Sequence, residues 1–143
     1  MKKKTILVVH GGTSSEREVS LNSGKACIKA LKKLKYKIIK FDPNKEHLSR
    51  IKQYKTKVNL IFNALHGRDG EDGIAQSYFE YFKIPYTHSG VASSMNAMDK
   101  IISKKIFKKN KLLTPDYISL NSVNYKKELK EKFLRNSNFN YPM

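Results

Sequence analysis

The sequence predicts an α/β protein built on a three-layered, mostly parallel sheet, and three observations lead there. Short apolar or β-branched runs recur along the first 90 residues, helical spacing fills the gaps between them, and Gly, Pro, Asp or Asn bounds each run. Strands that alternate with helices need right-handed crossovers, which lay helices on both faces of a parallel sheet. Ligands of such sheets sit at the carboxyl ends of the strands.

Thr5–Val9 (TILVV), Tyr36–Phe41 (YKIIKF), Asn59–Leu65 (NLIFNAL) and Lys83–Thr87 (KIPYT) read as four strands. Leu21, Ile28 and Leu31 stripe a first helix, and Ile74, Tyr78 and Phe82 stripe a third. The second, His47–Tyr54, has a weaker pattern. After Gly90 the texture changes: Met98, Ile101, Ile102 and Ile106 share one helical face, LLTPDYISL reads as a loop entering a strand, and Tyr125, Leu129 and Phe133 stripe a last helix. The spacing predicts one domain over 1–95 and the beginning of another over 96–143.

Composition narrows the class. The chain has 143 residues, a formal charge of +17 and a single cysteine, Cys27, so no disulfide can form within it. Of the 29 basic residues 25 are lysines, spread along the chain and not clustered in one segment, whereas nucleic-acid recognition favours the forked arginine. We therefore expect solvated faces, not a nucleic-acid surface. The basic start MKKK leads into only five apolar residues and then His-Gly-Gly, which reads as a buried strand and not a signal peptide. No run approaches the roughly 20 apolar residues that span a bilayer. A cytoplasmic protein without membrane contact is expected.

Two loops carry the candidate chemistry. HGGTSSEREVS (His10–Ser20) follows the first strand and opens the first helix, with capping-box spacing at Thr13 to Glu16 and Ser15 to Glu18. Neither phosphate-binding glycine pattern is matched there. LHGRDGEDG (Leu65–Gly73) follows the third strand and gathers three acids around His66. A histidine at a strand end suits either a ligand pocket or a plain hydrogen-bonding position. His66, Asp69, Glu71 and Asp72 have metal-ligand atoms but no recognised ligand spacing. No serine stands in a G-x-S-x-G elbow, which argues against a hydrolase.

GGTSSEREVSLNSG, ALHGRDGEDG, IPYTHSGV and AMDKIISKKIFKKNKLLTPDY, in this order and at this spacing, resemble the N-terminal part of the D-alanine–D-alanine ligases, enzymes of the ATP-grasp class. The resemblance implies a Rossmann-like pre-ATP-grasp domain followed by the start of an ATP-grasp domain. It also implies that Glu16 and Val19 bind the first D-alanine, that His66 lies beside it held by the neighbouring acids, and that Lys100 reaches the phosphates of ATP. The implied reaction uses ATP and Mg2+ to activate one D-alanine as an acyl phosphate, which the amine of a second D-alanine attacks to give the dipeptide of peptidoglycan. Relatives are usually homodimers. The magnesium ligands, the oxyanion arginine and the partners of Glu16 are expected outside these 143 residues, so the chain alone is expected to be inactive; a non-catalytic α/β module is the alternative. His88 and Ser77 stand where the family usually has glycine, and His10 where it has an apolar residue.

Overall fold

The computed structural model describes residues 4–117 and 119. Its first compact unit ends at Ser103 and its second begins at Lys104. The first unit holds a parallel sheet of three strands, β1 (Thr5–Val9), β2 (Lys37–Phe41) and β3 (Leu60–Asn63), in the order β2-β1-β3. Residue pairing runs Leu7 to Ile39 on one side and Leu7 to Ile61 on the other.

Alternation along β1 decides what each layer contains. Leu7 and Val9 face a cluster with Phe41, Ile51, Ile61 and Phe79, formed by α2 (Ile74–Tyr81) and a 3₁₀ helix over Leu48–Tyr54. Ile6 and Val8 face the opposite way, toward Ile28 of α1 (Arg17–Lys33). Successive side chains of a strand point to opposite faces, so an unbroken apolar run means cover on both. The three predicted layers are present.

Both α1 and α2 end without glycine. Lys35 (φ 63°) and Lys83 (φ 54°) take the left-handed conformation instead, and the next amide closes back onto the helix, Tyr36 N–H to Leu31 O at 3.2 Å and Ile84 N–H to Phe79 O at 3.0 Å. These turns stop each helix and send the chain toward the sheet.

Two expectations need correction. Lys83–Thr87 does not form a strand: it reduces to one parallel bridge, Ile61 with Tyr86. Pro85 lends its carbonyl to Ile61 but has no N–H to extend a ladder, and Thr87 answers Asn63 N–H with its hydroxyl at 3.1 Å. The apolar face from Met98 to Ile106 is likewise not one helix but two, α3 (Val91–Met98) and α4 (Lys100–Lys109). Asp99 breaks them with an extended backbone and caps α4, its Oδ1 accepting from Ile101 and Ile102 N–H at 2.8 and 2.9 Å. Met98, Ile101 and Ile102 are exposed. The strand after LLTPDYISL and the helix of Tyr125, Leu129 and Phe133 lie outside the described residues.

Phe79 is fully buried in the larger cluster, whereas its neighbour Tyr81 is 80% exposed on the same helix. Phe79→Ala should cost about 3–5 kcal/mol of stability and Tyr81→Ala less than about 0.5 kcal/mol, read from urea unfolding. Equal costs would mean that α2 packs through a different face.

Candidate functional site

The loops after β1 and β3 meet because their strands are neighbours, and one hydroxyl joins them. Ser20, fully buried in α1, accepts from Gly11 N–H at 2.8 Å and donates to Ala64 O at 2.7 Å. Two further bonds bridge the loops, Ser14 Oγ to His66 O at 2.7 Å and Thr13 Oγ1 to Asp69 Oδ2 at 3.2 Å. These hydroxyls are thus spent between loops. Neither predicted capping box forms, and Glu16, at the N-cap of α1, makes no side-chain cap bond.

Arg17 closes the first loop from the other side. Its guanidinium grips Asp42 at the end of β2 with two bonds, 2.9 and 2.7 Å, and holds Gly12 O at 2.7 Å. Asp42 also accepts from Gly12 and Asn44 N–H. Burial opposes its ionisation, yet the Arg17 and amide bonds outweigh burial and bring its pKa down to about 2. Gly11 (φ +87°) fits this turn because a Cβ there would come 2.6 Å from Asp42 Oδ1.

The acids around His66 serve the backbone of their own loop. Glu71 Oε2 accepts from Gly67 N–H at 3.0 Å, and Asp72 accepts from Asp69 and Ile74 N–H at 3.0 and 3.2 Å. Asn63 and Gln76 both donate to Gly70 O, which fixes the far side of the loop. His66 itself stands between two groups: Ser23 Oγ lies 3.0 Å from Nε2, and Glu71 Oε1 lies 3.7 Å from Nδ1.

A cleft of about 500 Å3 opens beside His66, with Ser23, Cys27, Glu71, Gln76, His88 and Lys100 on its walls. The structure therefore brings His66 and Lys100 to one cavity, with Lys100 opening α4 as an exposed ammonium. Glu16 and Val19 are not on its walls. Glu16 is exposed with its carboxylate over Gly67, where a Cβ would stand 3.1 Å from Oε1, and Val19 is 51% exposed. Among the described residues no group of three or more His, Cys, Asp or Glu is placed to hold a metal ion.

Two histidines explain themselves in the fold. His88 has φ +82°, a backbone angle that glycine adopts freely, with its ring edge-on to Phe62 and Thr87 Oγ1 2.8 Å from Nδ1. His10 is buried under Gly24 of α1, and its Nδ1 has no hydrogen-bond partner. Burial lowers its pKa below the ordinary 6.5 although Asp42 pulls the other way. Ser77 is a helical residue of α2 that bonds to Ile74 O at 2.6 Å.

Ser20, Ser23, Arg17 and Asp42 carry this geometry without having been singled out by motif. The available signal was spacing: Ser20, Gly24 and Ile28 recur every fourth residue and form the buried stripe of α1.

Ser20→Ala leaves the buried Gly11 N–H without an acceptor and should cost about 1–3 kcal/mol in urea unfolding; no loss would mean that water or a shifted loop replaces the hydroxyl. Burial lowers the folded pKa of His10, so its contribution is complete above its ordinary 6.5 and is lost progressively as pH falls below that value. His10→Leu should flatten the decline of the urea midpoint that begins as pH falls below about 6.5, and an unchanged decline would exclude His10 as its source. Asp42 contributes above its ordinary 3.8 and loses that contribution as pH falls toward about 2, so Asp42→Asn should lower the urea midpoint at neutral pH and lessen its further fall below 3.8; a neutral-pH midpoint equal to the parent's would contradict this.

The D-ala D-ala ligase N-terminus family model matches residues 42–89, which include His66 but neither Glu16 nor Lys100. The D-alanine–D-alanine ligase of Pelagibacter ubique is 54% identical over 118 residues, covering 82% of this chain and 38% of that protein. That of Moorella thermoacetica is 41% identical over 133 residues, covering 91% of this chain and 42% of its own length. Among solved structures, the Bacillus anthracis D-alanine–D-alanine ligase complexed with ATP superposes with a TM-score of 0.73 at 35% identity, covering 89% of this chain and 43% of that one. The chain thus spans about two fifths of the length of these relatives. In sequence and in fold it matches the N-terminal portion of the D-alanine–D-alanine ligases.

Proposed function

We propose that these residues form the D-alanine-binding part of an ATP-dependent D-alanine–D-alanine ligase that supplies the dipeptide of peptidoglycan in the cytoplasm. The observation that supports it most directly is His66, clamped between Ser23 and Glu71 on the wall of a cleft that Lys100 shares. A ligand amino acid in that cleft meets a positioned imidazole at one side and an ammonium at the other. In this reading residues 1–95 are the substrate domain and residues 96–143 begin the ATP-grasp domain, with a homodimer formed through the first.

Each residue has a role suited to its chemistry. Glu16, whose carboxylate lies over Gly67 next to His66, attracts the ammonium of the first D-alanine, Val19 adds apolar surface beyond the cleft wall, and His66 lies beside the bound substrate. ATP would supply the phosphoryl group that activates a D-alanine carboxylate. Toward it the described residues offer Lys100, whose compact charge suits a phosphate. They do not fit Mg2+, because no cluster of ligating side chains is present among them.

In a protein of the relatives' length that carries these residues, Glu16→Gln and Lys100→Ala should each lower D-Ala-D-Ala synthesis by roughly two orders of magnitude or more. Activity within about twofold of the parent in either variant would remove that residue from the site.

A further inference from the structure

We propose that Ser23 is a positioning residue for His66: its hydroxyl donates to Nε2 and, with Glu71 across the ring, holds the imidazole as the Nδ1–H tautomer at the cleft wall. The inference rests on the reading of His66 as a substrate-facing group. Three side chains carry it, two from the loop after β3 and one from α1.

Glu71 is anchored first. One of its oxygens accepts from Gly67 N–H at 3.0 Å, which turns the other toward His66 Nδ1 at 3.7 Å. A carboxylate can only accept, so it favours a proton on the nitrogen that faces it. In the neutral ring Nε2 is then a bare acceptor. The group 3.0 Å from it is Ser23 Oγ, which must therefore donate. A partner at each nitrogen sets both the tautomer and the orientation of an imidazole.

Helix geometry gives Ser23 its place. It lies seven residues, or two turns, after Glu16, and four residues before Cys27, which shares the cleft wall with it. Serine is a poorer helix former than alanine, so helix formation alone gives no reason for a hydroxyl in the middle of α1. With its proton committed to His66, Ser23 keeps its lone pairs for the cleft, where they suit a donor such as a substrate ammonium.

The test is an imidazole spectrum. Long-range 1H–15N correlation of the 15N-labelled 143-residue chain at about pH 8, where a histidine is ordinarily neutral, reads the tautomer directly, with His66 assigned through His66→Gln. We expect the Nδ1–H form in the parent, a partial shift toward Nε2–H in Ser23→Ala, where Glu71 alone still favours a proton on Nδ1, and return to the parent ratio in Ser23→Thr. An Nε2–H parent, or a Ser23→Ala chain with the parent ratio, would overturn the inference. Since the spectrum needs no D-alanine, it is decided separately from the substrate reading. Where D-alanine binds, Ser23→Ala should weaken it about three- to tenfold, the worth of one neutral hydrogen bond, while Ser23→Thr stays within about twofold; equal affinities for Ser23→Ala and the parent would also count against the role.

Discussion

Ser20 satisfies two loops with one oxygen, and the candidate site depends on that junction. It takes the Gly11 amide from the loop after β1 and gives its proton to the Ala64 carbonyl after β3. Both groups are buried, where an unpaired amide or carbonyl is costly, so the loops cannot separate without leaving one of them unsatisfied. The bridges from Ser14 to His66 and from Thr13 to Asp69 then lie within reach. Sheet order makes this possible: β1 is central, and its two neighbours bring Asp42 and His66 to either side of the same glycine turn.

Charge is distributed against the overall balance of the chain. A protein of formal charge +17 gathers carboxylates at the carboxyl ends of its strands, and three of them, Asp42, Glu71 and Asp72, hold backbone amides. Fixed this way, the acids act on the loop before they act on any ligand. Asp42 illustrates the result, since Arg17 and two amides keep it ionised in spite of burial. Glu71 differs in having one oxygen to spare, and that oxygen faces the imidazole.

Much of the architecture was legible because strand runs and helix stripes report burial directly. The uninterrupted TILVV run announced a strand covered on both faces, and Leu7 and Val8 are both fully buried. Period alone could not show that Pro85 would starve a fourth ladder of a donor, or that Asp99 would cap a new helix inside an apolar stripe. At the site, His66 and Lys100 were found through motifs and share a cleft. Ser20 and Ser23 were not, since a serine on a helix looks the same whether it faces solvent or staples two loops. Their meaning lies in contacts 44 and 43 residues away along the chain, which no local pattern encodes.

A cleft beside His66 that receives a D-amino acid must distinguish the two enantiomers of alanine. The most direct measurement follows backbone amide shifts of the 143-residue chain as D-alanine, and separately L-alanine, is added. D-alanine should produce saturable changes confined to the loops around Glu16 and His66 and to Ser23, and L-alanine weaker changes or none. Identical responses to the two enantiomers, or changes confined to residues away from both loops, would contradict it.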